Sequence, residues 1–413
     1  MAHPLISVFA VEDTAVQVTW RALPAPTVSF EIGDQTVAVE AGPVAYLRRR
    51  RRPPRALVRD PGSVGGPGAV TIGGLSPSTS YELTVTLPGG RREPVERVRT
   101  LPAPPGRLLS RFATISDLHI GERGFGALHT IQDVFPLPEG WESYTLRCAR
   151  AALDEARAWG AEAVIVKGDL TGEGAPGEFR EAGRLLAGAG VPIEVTLGNH
   201  EFHDPGTNPW SRLAEAGIHV PRQPWSIDLP GVRIILGHTW LPWSKWGRME
   251  PDQRGRIVEL ADGAPAAAFV ALHHQPQRWR IPNQYPPGIP GPQAVALLDE
   301  LIAVNPSTMI ASGHTHRHRL HRHGPLLAVE VGSTKDYPGT WAGYAVHEGG
   351  IRQVVRRVAA PAAIGWTEST YWALGGVWGW WAPGRLDDRC FTHVWPAVPR
   401  RRRAPVLTGP DER

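Results

Sequence analysis

The chain has 413 residues, 42% hydrophobic and 20% charged, with 41 Pro, 46 Gly and 16 Trp; that length exceeds one ordinary core and predicts two or three loop-rich globular domains. No run approaches the roughly 20 apolar residues that cross a bilayer, which excludes a membrane-spanning helix. The basicity is local: six Arg in "RRRRRPPR" (Arg48 to Arg55) and four in "RRRR" (Arg400 to Arg403) lift a body that is otherwise mildly acidic, since removing these ten takes the net charge from +4 to −6. Such runs read as solvated loops or tails, with nucleic acid or another acidic surface as the alternative partner.

The start, "MAHPLISVFAVEDTAVQVTW", has no basic n-region and runs directly into alternating strand-like residues, so no signal peptide is expected and the expected location is cytoplasmic. Two cysteines, Cys148 and Cys390, fit that setting as buried free thiols, with one bridge as the alternative. Residues 5 to about 100 alternate with period two in stretches such as "AVQVTW" and "TVSFEI" between Pro and Gly turns, which predicts an all-β sandwich over 1–102. "GGLSPSTSYELTVTL" (Gly73 to Leu87) resembles the turn and strand of a fibronectin type III domain, where a Tyr, here Tyr81, closes the corner before an alternating strand. "LPAPPG" (Leu101 to Gly106) then reads as a stiff linker.

From Leu108 the pattern changes to strands alternating with helices. "FATISD" precedes a helix near Glu142 to Trp159; "AEAVIVKGD" precedes one near Glu178 to Leu186; "VPIEVTLGN", "GVRIILGHT" and "AAFVALHH" follow; a helix near Gln293 to Val304 leads into "TMIASGHTH". This alternation predicts an α/β layered domain, sheets flanked by helices, over 108–358, with chemistry at the carboxyl ends of its strands. A Trp-rich extension with a basic tail occupies 359–413.

The polar residues fall at those strand ends: Asp117 and His119, Asp169 in "KGDL", Asn199 and His200 in "GNHE", His273 and His274 in "LHHQP", His314 and His316 in "GHTH". Emerging from successive strands, they are expected along one edge of one sheet. Oxygen and nitrogen donors without thiolate suit Mn, Fe, Zn or Mg rather than a structural Cys-type zinc site. So many groups are too many for one ion and suit two. Asp117 and His119, at i and i+2 of an extended segment, are expected to project to one side and reach one ion.

The ordered series DxH, GD, GNHE, H and GHxH resembles that of the calcineurin-like metallophosphoesterase superfamily, and with GHTH it looks most like the cyclic-nucleotide phosphodiesterase branch. The likeness covers roughly Phe112 to Val358. It implies one divalent ion held by Asp117, His119, Asp169 and His316, and a second held by Asp169, Asn199, His273 and His314, with Asp169 as the bridge. The identity of the ions is left among Mn, Fe and Zn. His200 is implied to be catalytic and not a ligand: it faces the substrate, stabilises charge on the phosphoryl group and protonates the leaving alkoxide, while a water activated between the ions attacks in line. His273 ends its strand as the family ligand does, but the proline comes one place later than in the common pattern, so His274 stays as the alternative. Purple acid phosphatases carry a Tyr three residues after the bridging Asp; here "GDLTG" places Gly172 there.

The implied activity is a dinuclear phosphohydrolase acting on a small phosphoester, a phosphodiesterase first. The alternatives are a phosphomonoesterase of acid phosphatase type, suggested by the sandwich in front, a nuclease, supported only by the Arg runs, and a non-catalytic binding module. No membrane partner is expected. Glu201 reads either as a carboxylate orienting a neighbouring His or as a surface residue. Beyond His314 and His316, His318, His321 and His323 of "HTHRHRLHRH" read as surface residues or as residues standing behind the ligands, and His238 in "LGHTW" as outside the site. The Trp-rich stretches "WLPWSKWGRMEPDQ" and "GWTESTYWALGGVWGWWAPG" read as packing, with an aromatic wall for a planar leaving group as the alternative.

Overall fold

A computed structural model describes residues 5–41, 65–126, 129–133, 140, 142–277 and 285–396. Both Arg runs lie outside the described residues.

Among the described residues the N-terminal part forms seven strands: β1 (Ile6–Val11), β2 (Val16–Trp20), β3 (Thr27–Ile32), β4 (Gln35–Glu40), β5 (Gly68–Ile72), β6 (Ser80–Thr86) and β7 (Arg92–Arg99). They pair antiparallel as a three-stranded sheet, β1-β2-β5, and a four-stranded sheet, β4-β3-β6-β7. Period two in the sequence becomes two faces: in β6, Leu83 and Val85 are buried while Ser80 and Glu82 are exposed. The inner faces of the two sheets share a core that includes Val18, Trp20, Phe30, Ile72, Leu83 and Val85, so the β-rich region is a sandwich. Tyr81 Oη accepts the Ser76 N–H at 2.9 Å, tying down the turn before β6.

The next stretch runs through β8 (Leu108–Ile115), the short pair β9 (Gly124–Phe125) and β10 (Ile131–Gln132), α1 (Tyr144–Ala158), β11 (Val164–Lys167), α2 (Pro176–Ala187) and β12 (Ile193–Thr196). After α3 (Pro209–Glu215) come β13 (Trp225–Leu229), β14 (Val232–Leu236), α4 (Pro251–Asp262), β15 (Ala267–Ala271), α5 (Gly291–Val304), β16 (Thr308–Ser312), β17 (Arg319–His323) and β18 (Leu326–Glu330). The chain closes with β19 (Thr340–His347), β20 (Gly350–Arg357), α6 (Pro361–Thr370), α7 (Val377–Trp381), α8 (Leu386–Arg389) and β21 (Cys390–Val394).

These strands make two six-stranded sheets, ordered β12-β11-β8-β19-β20-β21 and β13-β14-β15-β16-β18-β17. The single sheet edge expected from the sequence is therefore two: the chain leaves the first sheet after β12 and builds the second before returning through β19. The strands that lead into the site are parallel, β8 with β11 and β12 in the first sheet and β14, β15, β16 and β18 in the second. Segments such as "VIVK" and "AAFVA" are buried along their whole length, because each sheet is covered on both faces. Between the sheets Phe112, Ile165, Ile234, Phe269 and Tyr344 form one core, with Phe112 stacked on Tyr344 at 4.9 Å between centroids. Cys148, Leu153, Phe179 and Leu185 of α1 and α2 cover the outside of the first sheet; Ile257, Leu297 and Leu301 of α4 and α5 cover the second.

The segment after Val358 is built into this body. β21 pairs with β20 as an edge strand, and Trp366 of α6 stacks on Tyr144 of α1 at 3.9 Å between centroids. The sandwich docks on the same edge through buried polar bonds: Gln17 Nε2 donates to the Arg357 carbonyl at 2.8 Å and Gln17 Oε1 accepts the Arg357 N–H at 2.9 Å, while Arg352 pairs with Asp13 at 2.6 Å. Cys148 and Cys390 are both buried and free. Among the described residues no helix is long and apolar enough to cross a membrane.

Candidate metal centre

The loops leaving β8, β11, β12, β15 and β16 converge where the two sheets meet. Asp117, His119, Asp169, His314 and His316 all have positive φ, at 54°, 47°, 49°, 67° and 53°. Left-handed backbone at non-glycine residues costs energy and persists only where the surroundings impose it, typically at functional sites. This overturns the expectation that Asp117 and His119 share a side by lying on an extended segment: β8 ends at Ile115, and both residues sit in a coiled turn. That turn is tied to the next motif by Asp117 N–H to the Gly168 carbonyl at 3.2 Å and His119 N–H to the Asp169 carbonyl at 3.0 Å. The glycines preceding the motif residues supply close approach. A Cβ on Gly198 would lie 2.2 Å from Asp169 Oδ1, and one on Gly313 would lie 1.8 Å from Ser116 Oγ.

Two groups of donors result, sharing Asp169. In the first, Asp117, His119 and His316 present atoms that all lie within 4.8 Å of one another; His316 Nε2 is 3.4 Å from Asp117 Oδ1 and His119 Nε2 is 3.5 Å from Asp169 Oδ2. In the second, His273 Nε2 is 3.2 Å from Asp169 Oδ2, 3.2 Å from His314 Nδ1 and 3.3 Å from Asn199 Oδ1. His200 borders both, with Nε2 3.9 Å from Asp169 Oδ2 and its ring 4.2 Å from that of His119.

Four of the rings are aimed by their other nitrogen. His273 Nδ1 donates to the Lys167 carbonyl at 2.8 Å, His314 Nε2 to the Lys245 carbonyl at 2.9 Å, and His200 Nδ1 to the Gly172 carbonyl at 2.5 Å. His316 differs: its Nδ1 donates to a carboxylate, Asp336 Oδ2, at 2.7 Å. The charges follow from this crowding. Burial opposes ionisation of Asp117, but His316 beside it brings its pKa down to about 2. Burial also opposes the charge on His316, which Asp336 and Asp117 outweigh, pushing it up to about 10; His273 is pushed up to about 9 against burial by Asp169. Burial, with His273 alongside, holds His314 down to about 3.

A divalent pair fits these donors. His119 Nε2 is buried and makes no hydrogen bond within the protein, which is costly for a polar atom unless something else satisfies it. Separations of 3.2 to 3.5 Å between donor atoms are those of neighbouring ligands that each stand about 2.0–2.2 Å from a shared ion. The set is carboxylate, amide and imidazole, with no thiolate.

Residues 110–318 match the family model described as calcineurin-like phosphoesterase. The chain belongs to that family. It is a metallophosphoesterase, a hydrolase of phosphoesters, and its His and Asp groups fit the divalent metal centre on which the family relies. Among solved structures this calcineurin-like phosphoesterase is similar to purple acid phosphatase PPD1 from yellow lupin (Lupinus luteus) seeds, at 16% identity and TM-score 0.44 over 86% of this chain and 72% of the other. It is also similar to PhoD, at 12% identity and TM-score 0.41 over 85% of each chain. No curated protein matches it.

Every strand-end residue singled out in the sequence of this calcineurin-like phosphoesterase lies at or beside the centre. His274 is tied to Thr239, which accepts its backbone N–H at 3.2 Å and meets its Nδ1 at 2.8 Å; a nitrogen of that ring lies within 4.8 Å of donor atoms of His273 and His314. His238 is turned away, with Nε2 on the Pro221 carbonyl at 2.7 Å. Glu201 neither orients a histidine nor faces solvent. It is fully buried and accepts the backbone N–H groups of Gly198 at 2.7 Å, Thr171 at 2.9 Å and Asp169 at 3.2 Å, stapling two motif loops together. His318 is buried as well, accepting the Gly332 N–H at 3.1 Å, and is not a surface residue. The Trp segments divide: Trp240 stacks on Phe202 at 3.9 Å and Trp378 reaches within 6.3 Å of the His316 ring, whereas Trp243 and Trp380 are exposed.

Sequence reasoning missed Asp336, Lys335 and His203. Asp336 follows a strand, β18, as the other motif residues do, and that placement was the available signal. His203 stands 4.1 Å from His200 between ring centroids, brought there by the short 3-10 turn His200–Phe202.

Proposed function

We propose that this enzyme hydrolyses phosphodiesters at a pair of divalent ions, Mn, Fe(II) or Zn, the first held by Asp117, His119, Asp169 and His316 and the second by Asp169, Asn199, His273 and His314. The observation that carries the reading is the position of Asp169 Oδ2, within 3.5 Å of His119 Nε2 and 3.2 Å of His273 Nε2, so that one carboxylate serves both groups of donors. Bound there, the ions would supply an activated water and neutralise charge on the phosphoryl group. The chain supplies the rest. Asp169 holds the two positions together, since like charges about 3.5–4 Å apart need an anion between them.

His200 is the group we assign to the leaving oxygen. Its Nδ1 is fixed on the Gly172 carbonyl, which leaves Nε2 to carry the proton toward the substrate, and its side chain keeps 24% exposure while the donors around it are nearly closed. The diester preference follows the motif series, whose DxH and GHTH blocks look most like the cyclic-nucleotide phosphodiesterase branch. A phosphomonoesterase or nuclease activity is the alternative outcome.

The Tyr81 corner supports reading 1–102 as a fibronectin type III-like sandwich, placed before a catalytic unit of 108–358 that is followed by a Trp-rich extension with a basic tail over 359–413. Two unbridged buried thiols suit a reducing, cytoplasmic setting. The test is metal analysis of protein purified without chelator, joined to a panel of bis(p-nitrophenyl) phosphate, p-nitrophenyl phosphate, cyclic nucleotides and single-stranded DNA, before and after metal reconstitution. Two ions per chain and fastest turnover of a small diester are expected. Faster turnover of the monoester or of DNA moves the assignment to that class, and full activity with no metal overturns it.

A further inference from the structure

Asp336 lies in the connection from β18 to β19, the point at which the chain passes from the second sheet back to the first. That connection is clamped onto the first motif loop, where Ser333 Oγ donates to the Asp117 carbonyl at 2.9 Å and the Thr334 N–H donates to the Ser116 carbonyl at 3.3 Å. Asp336 is fully buried. Its Oδ2 accepts from His316 Nδ1 at 2.7 Å and faces Lys335 Nζ at 3.6 Å, and Lys335 Nζ is itself held at 2.5 Å by Glu122 Oε2. Among His200, His273, His314 and His316, the first three have an outer nitrogen on a neutral backbone carbonyl. His316 alone of these four rests on an anion.

We propose that Asp336 is a positioning residue for the metal centre, fixing His316 with Nδ1 on the carboxylate and Nε2 turned toward Asp117, and that Glu122 sustains it by engaging Lys335. The inference rests on the ligand assignment given above. A carboxylate behind an imidazole sets the tautomer, locks the ring and makes the facing nitrogen a stronger donor. Lys335 is the complication, because an ammonium beside Asp336 competes with His316 for the carboxylate. Glu122, at the shorter distance, takes up that ammonium, and the group Asp336, Lys335 and Glu122 keeps one net negative charge behind the ring.

The test is titration of chelator-stripped full-length protein with Zn2+ or Mn2+, followed by calorimetry and checked by circular dichroism and thermal melting of the metal-free form. Wild type binds two ions. Asp336→Asn is expected to weaken one of the two binding events by about 10- to 100-fold and leave the other in place, the range found when a residue behind a ligand is lost. Glu122→Gln, which keeps Asp336 but frees Lys335 to compete, weakens the same event by less. Should Asp336→Asn fail to fold, Glu122→Gln decides the matter alone. Folded variants with both events at wild-type affinity overturn the role of Asp336, while a wild type that takes up fewer than two ions overturns the ligand assignment itself.

Discussion

The Nε2 atom of His273, carried by the second sheet, lies 3.2 Å from Oδ2 of Asp169, carried by the first. The two sheets thus meet in a contact between two candidate donors, and under the proposed assignment Asp169 serves both halves of the centre. Asp169→Ala is expected to reduce bound metal from two ions to at most one, weakly held. Elemental analysis after gel filtration measures this, and two tightly held ions with normal turnover would refute the assignment.

His200 should behave differently. His200→Ala leaves metal content near two per chain and lowers kcat by roughly two to four orders of magnitude, the usual range for a lost proton donor or charge-stabilising group. Collapse of the metal content instead would make His200 a ligand.

Gly313 tests the close packing that puts Asp117 in place. Its missing Cβ would stand 1.8 Å from Ser116 Oγ and 2.6 Å from Asp117 Oδ2, so Gly313→Ala must push the motif loop. A loss of about 1–3 kcal/mol with reduced metal content is expected. Gly255, in α4, has nothing within 4 Å of its own missing Cβ, and Gly255→Ala should raise stability by roughly 0.5–1 kcal/mol. Paired urea unfolding curves compare the two; equal effects would mean that the Gly313 contact relaxes freely.

Acid stability has an identifiable contributor away from the metal centre. His393, in β21 at the sheet edge and 7% exposed, has its pKa lowered to about 4, by burial first and by Arg322 second. Its folded value is below the unfolded one of about 6.5, so its contribution is complete above pH 6.5, falls as the unfolded chain alone takes up the proton, and is gone below about pH 4. The whole effect is roughly 3 kcal/mol. His393→Phe should flatten the decline in unfolding free energy between pH 7 and pH 4 by about that much, and an unchanged decline would remove His393 as its source.

The purified enzyme should be colourless. Gly172 occupies the position at which purple acid phosphatases place the iron-binding Tyr, and the phenols nearby are not prepared to replace it. Burial pushes Tyr144 well above its ordinary range and Tyr337 up to about 12, which favours the neutral phenol. An absorption spectrum of concentrated, aerobically purified protein should show no charge-transfer band in the visible; such a band with a tightly held ferric ion would show that a phenolate reaches the centre.

The sequence by itself determined the strand-end blocks and most of the elements that carry them. Apolar runs such as "VIVK" and "AAFVA" end abruptly in polar residues, and the helix read near Glu142 to Trp159 is α1, Tyr144–Ala158, because burial on both faces of a parallel strand and one apolar face of a helix are local patterns. Tertiary structure decided what depends on contacts between distant segments. β19 pairs with β8 across more than two hundred residues, and that return of the chain divides the expected single sheet edge between two sheets and delivers Asp336 behind His316. Nothing local marks Glu201 as a buried staple rather than a surface carboxylate, since the three N–H groups it satisfies belong to two loops that only the fold brings together. The left-handed backbone of Asp117, His119, Asp169, His314 and His316 is uncommon even for Asp and His, the non-glycine types that adopt it most readily, so propensity alone does not supply it; bonds between loops, such as Asp117 N–H to the Gly168 carbonyl and His119 N–H to the Asp169 carbonyl, hold it in place.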